Sequence, residues 1–263
     1  MSLSKRYSLF WTESEDKESE PTSTLVVSSP KGLYVDIRPF TKESQESTKE
    51  NDGFDWYFAG FEIPIAGSSK VEFNHEFFDS EYINYYYKNG LSSKGFTIGT
   101  DLGDFSNSKD PEEIKKGIRV ETGVLRNPKT GKVEPYVEKW VTCNSEHTPE
   151  LEFLGEYKSK LRCIVLDTKD GGITDNESKD AIIGRFIALD KWVQGVVWNK
   201  SVTTNKTDSL GIVRFFDEAN PLISYGGQID KFPKLASLTQ GLDVGESVTV
   251  DGVTWIVKEV NNW

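Results

Sequence analysis

Residues able to do acid–base, nucleophilic or metal chemistry are few in this chain, and their spacing completes no catalytic motif. The only histidines are His75 and His147. An imidazole titrates near neutrality and is the commonest general base. His75, however, lies in VEFNHEFF, where strand alternation places it on one face with Val71 and Phe73. A lone histidine there is expected to be a hydrogen-bonded structural residue, and His147 a solvated one. Cys143 and His147 stand four apart, but the two further ligands of a structural zinc site are missing. Cys143 and Cys163 are the only cysteines and are expected to be reduced, buried and inert. DLGDFSNSKDPEE (101–113) is rich in carboxylates, yet an EF-hand loop needs oxygen ligands where Gly103 and Phe105 fall. No GxSxG, GxGxxG or GxxxxGK[ST] occurs. The expectation is therefore a protein that is not an enzyme, with no catalytic, cofactor-binding or metal-binding residue assigned.

Serines beside acidic residues suggest a different chemistry. Ser19 follows EDKE, and Ser44 and Ser47 have SxxS spacing among glutamates. Casein-kinase-type enzymes favour such sites, so these three are candidate phosphorylation sites. Each phosphate would add about −1.5 to −2 charges to loops already acidic.

The elements that would position these residues are mostly strands. GIRVETGVL (117–125) alternates Ile118, Val120, Thr122 and Val124 against Arg119 and Glu121, the period of a half-buried antiparallel strand. A turn-rich RNPKTGK and then VEPYVEKWVTC complete a hairpin. LYVDIRP (33–39) sets Leu33, Val35 and Ile37 against Tyr34, Asp36 and Arg38. In GFDWYFAGF (53–61), Phe54, Trp56 and Phe58 alternate onto one face, predicting a barrel-wall strand with its tryptophan toward the core. Further strands are expected at 160–167, 181–190, 191–198 and 210–216. Asp251-Gly252 predicts a two-residue hairpin turn, because both positions of a type I′ turn need positive φ. DPEEIKKG (110–117) predicts a short helix capped by Asp110, and FPKLASLTQG (232–241) a second. SEYINYYYK (80–88) fits either a helix or a strand.

Many short strands with few short helices predict an all-β protein, a sandwich or a barrel. The polar stretch 144–159 follows a completed hairpin, which divides the chain into residues 1–150 and 151–263. The net charge of −11 opposes binding to nucleic acid or to anionic membranes. No run is long and apolar enough to insert in a bilayer, and the first twenty residues predict no signal peptide. Aromatic content of 12% argues against disorder of the whole chain.

Five blocks in order, VDIRPF (35–40), FDWYFAG (54–60), VETG (120–123), RCIVLD (162–167) and IIGRFI (182–187), resemble the fungal Hri family. That family is named for interaction with the yeast casein kinase I homologue. The resemblance implies two consecutive antiparallel lipocalin-like β-barrels, no enzymatic activity and no cofactor. It implies two partners, the casein kinase I homologue and a component of the endoplasmic-reticulum translocation complex, and a cytoplasmic and nuclear location. On that basis the chain is expected to be a soluble interaction protein, with a lipocalin-like carrier of a small apolar ligand as the alternative. Lipocalin-like barrels often close one end with an arginine stacked on a tryptophan. Arg38 and Arg185 are the candidate arginines and Trp56 the first candidate ring, in a structural role.

Overall fold

Strand alternation runs through most of the sequence, and strands are what form. The computed structural model describes residues 1–13, 17–44, 52–127, 129–143, 145, 161–174, 178–217, 221–238 and 241–262. Ser47 and His147 lie outside them, as does most of the 144–159 stretch. Eight strands come first among the described residues: β1 (Ser2–Trp11), β2 (Leu25–Ser28), β3 (Leu33–Pro39), β4 (Phe54–Pro64), β5 (Lys70–Asp79), β6 (Thr100–Asn107), β7 (Arg119–Arg126) and β8 (Val133–Thr142). They close in that order into an antiparallel barrel, β1 pairing with both β2 and β8. Helix α1 (Ser80–Lys88) follows β5, so the ambiguous SEYINYYYK is helical. The Asp79 carboxylate accepts from the Glu81 and Tyr82 amides at its N-terminus, and Ile83 and Tyr86 are buried. Helix α2 (Pro111–Lys115) starts at Asp110 as predicted.

The second half was expected to be another barrel, and it is instead a seven-stranded antiparallel sheet. Its strands are β9 (Cys163–Thr168), β10 (Ile182–Leu189), β11 (Trp192–Asn199), β12 (Leu210–Phe216), β13 (Pro221–Tyr225), β14 (Ser247–Val250) and β15 (Val253–Asn261), in the order β13-β12-β11-β10-β9-β15-β14. The outermost strands, β13 and β14, are separated in sequence by turns rather than joined by pairing. The predicted helix at 232–241 contains only a 3₁₀ turn, Leu235–Ser237, among its described residues. Phe232 and Leu238 instead pack down on one face of the sheet with Phe186, Val213 and Trp255. Burial of those side chains outweighs helix formation in a segment interrupted by Pro233. The Asp251-Gly252 turn forms as predicted, with φ of 44° and 80° and Val250 opposite Val253.

The main apolar core lies between the barrel and the second sheet. Val27, Val35, Ile37 and Ala59 on the outer wall of the barrel meet Val165, Ile187, Val196 and Ile212. The alternate residues of β2, β3, β4 and β8, Val26, Tyr34, Phe58 and Trp140, point into the barrel instead. Both faces of β4 are thus buried over residues 57–60. A register shift after Arg38 moves Phe54 off the Trp56 face, and it packs with Tyr57 and Tyr225 instead. The expected alignment of Phe54 with Trp56 and Phe58 is corrected by that bulge.

Polar side chains of the second sheet, Gln194, Arg214 and Arg185 among them, cross this apolar interface. The Gln194 amide donates to the Leu25 and Val35 carbonyls at 3.0 and 2.9 Å. Arg214 donates to the Gln194 side chain at 2.7 Å and to the Ser23 and Ile37 carbonyls at 2.8 and 2.6 Å. Arg185 forms a bidentate pair with Asp167 at 2.7 and 2.9 Å and donates to the Gly60 carbonyl at 2.5 Å. These bonds fix how the sheet seats on the barrel, because a sliding apolar contact would leave buried donors unpaired. Gly60 itself has no room for a side chain: a Cβ there would lie 1.7 Å from the Asn74 carbonyl oxygen, which belongs to the paired backbone. Gly60→Ala is expected to cost about 2–3 kcal/mol in urea unfolding.

Candidate functional site

The interior of the barrel is charged. Arg6 is fully buried on β1, and its guanidinium donates to Glu138 at 2.6 Å, to Glu20 at 2.7 and 3.2 Å and to Thr22 at 2.9 Å. A bulge at Tyr7 in the β1–β8 ladder keeps Arg6 inside while turning Leu9 and Trp11 inward as well. Arg38 on β3 holds Asp36 through Nε and Nη2 at 2.9 and 2.8 Å and lies 3.9 Å from Glu138. Its guanidinium carbon is 5.3 Å from the Trp56 ring centroid and 5.2 Å from that of Phe58. His75 on β5 is buried, bonded through Nδ1 to the Asp79 carboxylate, with Nε2 3.9 Å from Asp101. Trp56 sits edge-on to His75 at 5.1 Å and donates to Asp79 at 3.4 Å.

These groups surround a chamber of about 550 Å³, lined among others by Arg6, Arg38, Asp55, Trp56, His75, Asp101 and Glu138. A smaller cavity of about 40 Å³ lies next to it and shares Arg38, Asp101, Leu125 and Glu138 with it; its wall also includes Asp36, Glu121, Tyr136 and Trp140 beside apolar side chains such as Val26 and Phe73. Gly103 makes room here, since a Cβ at that position would fall 2.4 Å from the Glu121 carboxylate. Tyr136 donates to Glu121 at 2.8 Å.

Carboxylates crowded into a low-dielectric space resist ionising. Burial raises the Asp36, Asp55 and Asp101 carboxyls above the ordinary range, against the pull of nearby arginines and, at Asp101, of His75. Burial and then the Glu138 charge push Glu121 to about 8. Burial alone would lower Arg6, but Glu138 and Glu20 outweigh it and the repulsion from Arg38, so this guanidinium stays charged. Burial would also lower His75, yet the Asp79 bond and charge raise it. Glu121 therefore binds a proton in the fold between about pH 4.5, where the unfolded chain loses it, and pH 8. In that window stability falls as pH rises. Glu121→Gln is expected to match the wild type near pH 5 and to exceed it near pH 9 by on the order of 1–3 kcal/mol in paired urea titrations.

Of the residues singled out in the sequence, Arg38 and Trp56 meet in the chamber, and Ser19 lies exposed at its mouth. Arg185 is elsewhere, between barrel and sheet, and its guanidinium packs on Phe77 at 4.2 Å and Phe61 at 5.2 Å rather than on a tryptophan. Ser44 lies in a turn outside the chamber, its amide bonded to the Thr41 carbonyl at 3.1 Å. Cys143 and Cys163 are buried thiols that form no disulfide, and burial pushes them up to about 11 and about 12. Among the described residues no three histidine, cysteine or carboxylate side chains are grouped to hold a metal ion. Among the same residues no helix is long and apolar enough to cross a membrane. Sequence reading missed Arg6, Asp36, Asp101, Glu121 and Glu138. Their signal was present: in Tyr34-Asp36-Arg38 and Tyr136-Glu138-Trp140, charges share a strand face with aromatic rings.

Fold and chamber together define a class: an antiparallel β-barrel with a charged interior, fused to a second β-sheet through an apolar interface. Within that class, the family model described as Protein HRI1 matches residues 2–259, and the chain belongs to the HRI1 family. It is 24% identical to Protein HRI1 of Candida glabrata, over 93% of this chain and 94% of that one. It is 25% identical to Protein HRI1 of Kluyveromyces lactis and 23% identical to that of Saccharomyces cerevisiae, each over 92% of both chains. A crystal structure of an uncharacterized Saccharomyces cerevisiae protein superposes with a TM-score of 0.70 at 23% identity, covering 99% of this chain and 98% of that one. This likeness concerns the fold alone.

Proposed function

We propose that this chain is a non-enzymatic binding protein whose barrel holds a small molecule. The chamber is the observation that carries the reading, since about 550 Å³ falls within the ~300–1,000 Å³ of small-molecule sites. Its groups favour holding over catalysis. The histidine is bonded to Asp79, and its second nitrogen faces the Asp101 carboxylate rather than a hydroxyl or thiol. The lining also argues against the apolar cargo of a lipocalin-like carrier, because an apolar ligand would cover Asp55, Asp101 and Glu138 without bonding them. Gly99 offers a test: it lies at the chamber, exposed, and a Cβ there meets nothing within 4 Å. In a thermal-shift screen against a metabolite library, compounds that raise the melting temperature of the wild type are expected to leave Gly99→Trp unmoved. A library whose hits act equally on both proteins would remove the reading.

A second reading is the protein interaction implied by the family resemblance, with a casein kinase I homologue and an endoplasmic-reticulum translocation component as partners in cytoplasm and nucleus. Its support is a set of exposed apolar side chains on the barrel wall, on either side of Glu72. Ile63 on β4 and Leu102 on β6 both pair with Glu72 and are 45% and 43% exposed, and Val124 on β7 is 61% exposed. Pull-down with the purified kinase, with and without ATP, is expected to retain the chain and to lose it on Ile63→Asp with Leu102→Asp. No capture at micromolar concentration would end the direct-contact version.

A further inference from the structure

We propose that the ligand of the barrel chamber is an organic cation, an amine or quaternary ammonium compound seated over the carboxylates beside Trp56. The proposal rests on the chamber being a ligand site and names the chemistry it selects.

Charge at the floor is out of balance among the described residues. Two guanidiniums, Arg6 and Arg38, face Glu20, Asp36, Asp101 and Glu138, while Glu121 stays protonated up to about pH 8. Both guanidiniums are already engaged: Arg6 with Glu20, Glu138 and Thr22, and Arg38 with Asp36. His75 is held by Asp79, so that pair brings no free cation to the floor. A second observation is independent of this count. Asp36 is 2% exposed, and its Oδ1 has no hydrogen-bond partner, because Arg38 uses Oδ2 twice. Asp36 lines the small cavity adjoining the chamber, so an unmatched acceptor is buried next to empty space. Third, the half-buried Trp56 contributes an indole to the wall, the side chain best suited to a cationic guest.

The rim has the opposite sign, since Lys17, Arg126 and Lys129 line the mouth. All three are exposed to solvent, where salt screens them, whereas the floor charges interact through protein. The floor therefore decides what is held, and an anion would meet buried carboxylates after passing a favourable rim. Burial keeps the Asp55 and Asp101 carboxyls above their ordinary range. A bound cation stabilises their charged forms, so its uptake should release protons.

Isothermal titration of the full chain at pH 7, in two buffers of different ionisation enthalpy, tests this with spermidine, choline, glutarate and decanoate. Spermidine or choline is expected to bind about tenfold or more tighter than glutarate or decanoate and to release protons. Asp101→Asn is expected to weaken that binding about tenfold with an unchanged melting temperature, and Gly99→Trp to abolish it. Glutarate or decanoate binding that Gly99→Trp abolishes, with neither cation bound, overturns the cation and leaves the chamber reading standing. Cation binding that survives Gly99→Trp places the ligand elsewhere and overturns the proposal. So does the absence of any binding by the four probes, while the library screen decides separately on the chamber.

Discussion

Replacing Arg185 by alanine is expected to destabilise the chain by about 3–5 kcal/mol. The guanidinium is fully buried between barrel and second sheet, and the substitution strands two partners at once. Asp167 loses both of its bonds and stays as a buried charge, and the Gly60 carbonyl loses its donor. The contact with Phe77 at 4.2 Å disappears as well. Loss of a partner from a buried pair is costly because the remaining ion keeps its desolvation penalty without the compensating attraction. Removing both charges is a different matter. Arg185→Met with Asp167→Leu is expected to recover more than half of the loss, with the Gly60 carbonyl accounting for the remainder. Urea unfolding followed by tryptophan fluorescence checks both. A single Arg185→Ala variant within about 1 kcal/mol of the wild type would show that the interface does not depend on this pair.

The second large effect lies inside the barrel. Arg6→Met is expected to cost about 3–5 kcal/mol at pH 8, since Glu20 and Glu138 both lose their guanidinium and Arg38 stays 3.9 Å from Glu138. The defect is expected to come from stranded charge. Adding Glu138→Gln to Arg6→Met should recover part of the loss in urea unfolding, because it removes one of the uncompensated carboxylates. No recovery in the double variant would mean that lost packing around the arginine stem, not charge, is the cause.

Much of this architecture was legible in the sequence. Strand positions, the Asp251-Gly252 turn and the Asp110 cap followed from local preferences that tertiary packing did not override. The direction in which each strand faces did not follow. In β7, Val120 and Val124 belong to the apolar face, yet Val124 is 61% exposed and Glu121 points inward beneath Tyr136. In β3, the apolar Leu33, Val35 and Ile37 turn outward, because the second sheet covers that wall. Alternation shows that two faces differ, and it cannot show which one is inside when a barrel interior is polar and its exterior partly dry. Arg185 stood out as a charge among apolar residues, but its ring partners, Phe61 and Phe77, come from strands far away in sequence. The second sheet was mistaken for a barrel because local strand signals carry no information about closure. Closure depends on whether the outermost strands meet, and here the chain between β13 and β14 folds onto the sheet instead.

Whether the barrel chamber holds a small molecule is decided by native mass spectrometry of the chain purified from yeast without organic extraction, beside Gly99→Trp prepared identically. A non-covalent small-molecule adduct is expected on the wild type, dissociating on gentle activation and absent from Gly99→Trp. Bare protein in both preparations, or the same adduct on both, would show that the chamber is not a ligand site.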